Sequence, residues 1–229
     1  MNRMILYTLG LGLVLLPGEP AHAAILGGTN LNTTFLNSPP DSLQEGNSAT
    51  SDNNNIFAIN EQHGVTLGSA LTVNRLISGG EVIGAGGSPP GPTATLAAGT
   101  LLNSHILHYD RTSGGGDVTA TATFDTPIIA LSFNDGTLDG SDFLGNSATD
   151  YPTGTYGRRM IFGEGTDSIS VSADRMQLTA LTQRAGAPYL DELRVLTDAT
   201  RFIIPEPATL VIWSLLLGLG AGLAWRRRR

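Results

Sequence analysis

Nine residues, Asn134-Asp135-Gly136-Thr137-Leu138-Asp139-Gly140-Ser141-Asp142, hold three carboxylates, a side-chain amide and two glycines. Calcium takes hard oxygen ligands of this kind, and a loop between strands can present them, which makes Asp135, Asp139 and Asp142 candidate calcium ligands. The spacing is not that of an EF-hand, which needs acids at alternate positions and a distant glutamate. The same residue types also satisfy the geometry of a solvated turn. His105 and His108 stand three apart in a strand-like segment, so they point to opposite faces and do not share a metal. Each reads as a partly exposed strand histidine, and His63 sits in a Glu-Gln-His-Gly turn. Asp191 and Glu192 are adjacent and diverge on a strand, whereas glycoside hydrolysis needs two carboxylates facing across a cleft. Tyr109, Tyr151, Tyr156 and Tyr189 could stack on sugar rings if several share an exposed face; the alternative is ordinary core and rim use. No Gly-x-Ser-x-Gly nucleophile elbow and no phosphate loop is present.

Composition narrows the chemistry further. The 229 residues include no cysteine, which removes disulfides, thiolate metal sites and a cysteine nucleophile. There is no lysine either, and all 13 positive charges are arginines. Between Ala24 and Ile204 there are 18 acids against 8 arginines, a net charge of −10. That body repels nucleic acid and anionic lipid, so neither is an expected partner.

The two ends read as addresses rather than as parts of the body. Met1-Asn2-Arg3 is a short positive head, Met4 to Leu16 is apolar, and Pro17 to Pro20 breaks the run before Ala21-His22-Ala23. This is the pattern of a secretory signal peptide spanning residues 1–23, with the small Ala21 and Ala23 placing the cut after Ala23 by signal peptidase. At the other end Ala208 to Trp225 is an uncharged stretch of 18 residues. As a helix it rises roughly 27 Å and covers a hydrocarbon core. Arg226, Arg227, Arg228 and Arg229 follow as a membrane stop signal, and by the positive-inside rule they hold that end in the cytoplasm with the body outside.

Just before the span stands Pro205-Glu206-Pro207, whose two prolines keep the backbone extended and open to a protease. Pro-Glu-Pro, an apolar helix and a terminal arginine cluster, in that order over residues 205–229, resemble the PEP-CTERM sorting signal of Gram-negative bacteria. The resemblance implies recognition by an exosortase-type membrane protease, an inner-membrane-anchored precursor, and delivery to the cell envelope or an extracellular polysaccharide matrix. From Tyr151 to Thr197 the text is also similar to the final strands of exported β-rich proteins bearing this tail, a likeness that names no chemistry.

The body, residues 24–204, must then be positioned by short elements, because 29 glycines and 12 prolines favour turns over long helices. Val118 to Phe124 alternates apolar residues with threonines, the signature of a half-buried strand. Ile128 to Phe133 is an apolar run, and the pair is expected to form a hairpin through Asp125-Thr126-Pro127. Further strands are expected at Asn55 to Asn60, Ala70 to Ser78, Glu81 to Ile83, Ser104 to Tyr109, Arg159 to Phe162, Ser168 to Val171, Met176 to Thr182 and Glu192 to Thr197. A strand is also expected to begin in Ile25 to Leu36, with a mobile stretch beyond it to Asp52. These features predict an all-β fold, an antiparallel β-sandwich of jelly-roll type. The function they predict is non-enzymatic: a structural or adhesive component associated with exopolysaccharide or biofilm. The alternative is a secreted carbohydrate- or calcium-binding module.

Overall fold

The computed structural model describes residues 24–27, 32–52, 54–84, 93–110, 117–153, 158, 160, 162, 167–182 and 190–200. The signal-peptide stretch with Ala21 and Ala23, the whole tail from Pro205 to Arg229, Tyr156 and Tyr189 lie outside the described residues. Among the described residues no helix is long and apolar enough to cross a membrane.

The first seven strands are short apart from one: β1 (Ile25–Gly27), β2 (Thr33–Leu36), β3 (Ile56–Thr66), β4 (Leu71–Val73), β5 (Arg75–Leu76), β6 (Glu81–Ile83) and β7 (Ala94–Leu96). They are followed by β8 (Leu101–Asp110), β9 (Val118–Phe124), β10 (Ile128–Ser132), β11 (Ser168–Val171), β12 (Gln177–Thr182) and β13 (Leu190–Asp198). Between β10 and β11 lie the helical turn α1 (Asp135–Asp139) and a 3-10 turn at Asp142–Leu144. One sheet has the order β1-β9-β12-β11-β6 and the other β2-β3-β8-β13-β10-β5, while β4 and β7 form a separate pair. All pairings are antiparallel except that of β2 with β3.

The two sheets share one core. Val118, Ala120, Ala122 and Phe124 of β9 meet Leu107, Leu193 and Val195 of the opposite sheet, as the alternation in β9 requires. The expected hairpin of β9 with β10 does not form. β9 pairs with β1 and β12, whereas β10 pairs with β13 and β5, so Asp125-Thr126-Pro127 carries the chain from one sheet to the other. Alternation tells which face of a strand is apolar but not which strand it bonds to. Here both apolar faces meet across the core, and three extended residues span the roughly 10 Å between packed sheets.

Several boundaries also move. Ala70 to Ser78 breaks at Asn74 into β4 and β5, and β3 runs to Thr66 through two irregularities in its register with β8. His63 therefore lies within a strand rather than in a turn. The stretch up to Asp52, expected to be mobile, is tied down by the bridges Ser42↔Asp150 and Ser51↔Asp110, and it buries Leu43 and Thr50 completely.

That stretch, together with residues 135–153, covers the outer face of the six-stranded sheet. Leu43 and Tyr151 pack there on Phe57, Ile59 and Ile106. The two covering segments share a local solution: Gly-Asn-Ser-Ala-Thr occurs at 46–50 and again at 145–149. In each copy the Asn side-chain oxygen accepts the Ala N–H at 3.0 Å, the Thr N–H returns to the Asn carbonyl at 3.0 Å, and the Thr is buried. As a consequence β8 and β13 are buried on both faces along nearly their whole length. Polar side chains on their outer face must then find partners inside the protein.

Candidate functional site

The outer faces of β3, β8 and β13 bring Glu61, His108, Glu192 and Arg194 beneath the covering segment. Arg194 is fully buried, and its guanidinium donates to Glu61 from Nε (2.9 Å) and Nη2 (3.0 Å). On its other side it donates to Asp142 Oδ1 at 3.1 Å, to Ser141 Oγ at 2.7 Å and to the Leu138 carbonyl at 3.1 Å. Arg158, also fully buried, donates from Nε to Glu192 Oε2 at 2.6 Å and from Nη1 to Asp142 Oδ2 at 2.6 Å. Asp142 thus links two guanidiniums, one on β13 and one from the segment that returns after the cover. His108 closes the far end, its Nδ1 lying 2.8 Å from Glu192 Oε1. Tyr151 donates its hydroxyl to Glu61 at 2.7 Å, and both guanidinium carbons lie over its ring, at 5.4 Å for Arg194 and 5.7 Å for Arg158.

Electrostatics follows from this geometry. Burial alone disfavours the charged form of Arg158 and Arg194, but Glu192 with Asp142, and Glu61 with Asp142, reverse the balance and hold both guanidiniums more firmly protonated than usual. Burial likewise pushes the Glu192 carboxyl up, and Arg158 with His108 brings it below the ordinary range. The Tyr151 hydroxyl is driven far up, first by burial and then by Glu61, so it serves only as a neutral donor. Asp139, more exposed, is raised by burial and by Asp135, which Arg158 only partly offsets.

The nine-residue acidic stretch therefore has a definite role in this geometry. It is not an open loop but α1 and the 3-10 turn, and its carboxylates face arginines: Asp135 accepts the Arg158 backbone N–H at 3.2 Å, Asp139 lies 3.4 Å from Arg158 Nη1, and Asp142 joins both guanidiniums. Among the described residues no three His, Asp or Glu side chains gather where one metal ion could sit. The segment is held at its start by Asn74, whose Oδ1 accepts from Phe133 N (2.7 Å), Asn134 N (2.9 Å) and Thr137 Oγ1 (2.6 Å).

The two strand histidines do face opposite ways, but both are fully buried rather than partly exposed. His105 points into the core, with Nδ1 2.8 Å from Asn60 Oδ1, Nε2 3.3 Å from Thr197 Oγ1, and its ring centroid 5.1 Å from that of Phe124. Burial, with a smaller contribution from His63, pushes its imidazole down to about 3, so it is neutral. Asp191 and Glu192 diverge as adjacent strand residues must: Glu192 joins the ion network, and Asp191 turns inward beside a small cavity lined also by Tyr109 and Thr182. Tyr109 and Tyr151 are both buried, one within the core and one under the arginines.

The members absent from the sequence reading are Glu61, Arg158 and Arg194. Arg194 left a signal, a lone charge inside Leu193-Arg194-Val195-Leu196, because a charge in an apolar strand requires a buried counter-charge. Glu61 and Arg158 left none. Taken together, the fold and this network define an all-β body in which a buried charge network pins a covering segment to a sheet. Residues 204–229 match the family model of the PEP-CTERM protein-sorting motif. The chain thus carries the tail of an exported protein that is processed by exosortase at the membrane and reaches the cell envelope. No curated protein and no solved structure matches the chain.

Proposed function

We propose that this chain is a non-enzymatic structural or adhesive component of the envelope or extracellular matrix, associated with exopolysaccharide. The observation that carries the reading is the PEP-CTERM motif at residues 204–229, which commits the protein to surface delivery. The body is in keeping with it: a jelly-roll-like β-sandwich whose buried arginines tie cover and sheet into one rigid unit. In this reading a leader of residues 1–23 directs export, signal peptidase cuts after Ala23, the apolar stretch Ala208 to Trp225 holds the precursor in the inner membrane, and exosortase acts near Pro205-Glu206-Pro207.

Mass spectrometry of the mature protein from its host tests the sorting step. A C-terminus near Pro205 to Pro207 supports it, and a mature pool ending at Arg229 refutes it. Calorimetric titration with host exopolysaccharide, and separately with calcium, tests the role of the body. A scaffold gives no saturable heat with calcium; a saturable calcium response replaces it with the reading of a binding module.

A further inference from the structure

We infer that cleavage after Ala23 gives the body an ion pair that the precursor lacks, between the new α-ammonium group of Ala24 and the carboxylate of Asp125. The inference rests on the leader reading above. In the structure the Ala24 nitrogen lies 3.0 Å from Asp125 Oδ2, and the Asp125 N–H returns to the Ala24 carbonyl at 3.4 Å. The other carboxylate oxygen, Oδ1, is buried with no hydrogen-bond partner. A peptide nitrogen has one hydrogen to give and cannot satisfy both oxygens. An ammonium has three and carries the charge that a partly buried carboxylate needs.

The chemistry balances as ordinary peptide hydrolysis. The bond between the Ala23 carbonyl carbon and the Ala24 nitrogen breaks, the oxygen of one water goes to Ala23 as carboxylate, and both water protons end on the Ala24 nitrogen as –NH3⁺. The strand behind the new terminus is already seated. Ile25 pairs with Phe124, and its N–H donates to Asn60 Oδ1 at 3.2 Å, the same oxygen that engages His105 in the core. Among the charged or titratable groups on the neighbouring elements, Arg175 Nη1 lies 3.3 Å from the Ile77 carbonyl, His105 is held between Asn60 and Thr197, the His63 ring lies 6.1 Å from that of His105, and Glu61 is bound to Arg194. Processing therefore locks an edge strand of the five-stranded sheet, so that the exported form is the more tightly closed one.

The composition supplies a clean assay. With no lysine in the chain, the Ala24 amine is the only primary amine of the mature protein. Protein recovered from the host envelope is first sequenced from its N-terminus; a first residue other than Ala24 overturns the leader reading and this inference together. If Ala24 is first, the rate of acylation by an amine-reactive anhydride is followed against pH for wild type and Asp125→Asn, folded and in urea. An ordinary α-amine titrates at about 7.7–8.0, and raising that midpoint by one unit slows labelling near pH 7 about tenfold. The expected result is labelling at least fivefold slower in folded wild type than in folded Asp125→Asn, with equal rates in urea. Asp125→Glu, which keeps the carboxylate, should retain the slow rate. Equal folded rates in wild type and Asp125→Asn overturn the ion pair while leaving the leader reading intact. Should Asp125→Asn fail to fold, the wild-type midpoint decides the matter: it must lie higher folded than in urea, and identical midpoints refute the pair.

Discussion

Replacing Arg194 by methionine removes the guanidinium and keeps most of the side-chain volume. Glu61 and Arg194 are both fully buried along their side chains, so Glu61 is left as a carboxylate with only the Ser104 hydroxyl (2.6 Å) and the Tyr151 hydroxyl (2.7 Å). Asp142 keeps Arg158, but the Leu138 carbonyl and Ser141 Oγ lose a donor. Breaking a buried pair from one side costs about 3–5 kcal/mol, because the surviving charge is stranded rather than because the pair itself was worth that much. With a urea slope of about 2 kcal/mol per molar, the unfolding midpoint should fall by roughly 1.5–2.5 M. The discriminating arm is the double variant. Adding Glu61→Gln to Arg194→Met removes the stranded charge and should return about 1–3 kcal/mol, a non-additivity that a pure packing defect does not produce. Equilibrium urea unfolding of the four proteins measures it. A loss below about 1 kcal/mol for Arg194→Met, or strictly additive losses in the double variant, refutes the compensated-charge account.

Other consequences can be checked with the same protein. His105, whose pKa falls from 6.5 to about 3 on folding, binds its proton only in the unfolded chain between those values. Its stabilisation is complete above pH 6.5 and declines as pH falls, by at most about 1.4 kcal/mol per pH unit. Glu192, lowered from 4.5, loses its contribution only below that value, whereas Asp139, raised from 3.8, titrates at higher pH folded than unfolded, so the difference between wild type and a His105 variant across pH 4.5–6.5 reports His105. His105→Gln should flatten the slope of unfolding free energy in that window, and an unchanged slope counts against the assignment. Asn74→Ala strips one acceptor from three donors at the start of the covering segment and should cost about 2–3 kcal/mol by urea unfolding, whereas a cost under 0.5 kcal/mol contradicts the cap. Gly84→Ala meets a φ of +82° and puts a methyl 2.6 Å from the Asp167 carbonyl and closer still to the Phe162 ring. A loss of about 2–4 kcal/mol follows from strain and overpacking, visible as a lower melting temperature, and an unchanged one speaks against it. Substituting Pro205, Glu206 and Pro207 together by alanine should leave the tail uncut, with Arg229 detectable by mass spectrometry in the membrane fraction; normal processing of that variant removes the tripeptide from the recognition signal.

The sequence alone determined the address and the class of fold. Pro205-Glu206-Pro207 with its apolar stretch and arginines is a local, linear signal, and a linear signal needs no tertiary structure to be read. The threonine alternation from Val118 to Phe124 likewise settles its own buried face, since side chains on a strand alternate whatever the strand pairs with. Pairing was another matter. Whether β9 bonds to β10 or faces it across the core depends on which distant strands are available, and Asp125-Thr126-Pro127 suits either geometry. The acidic stretch shows the same division. Asp135, Asp139 and Asp142 announce a need for cations, but the sequence could not say whether a metal or an arginine supplies them. Arg158 and Arg194 stand 16 and 52 positions from Asp142 in the chain, and only the folding of residues 135–153 onto doubly buried strands brings both guanidiniums within 3.1 Å of the Asp142 carboxylate.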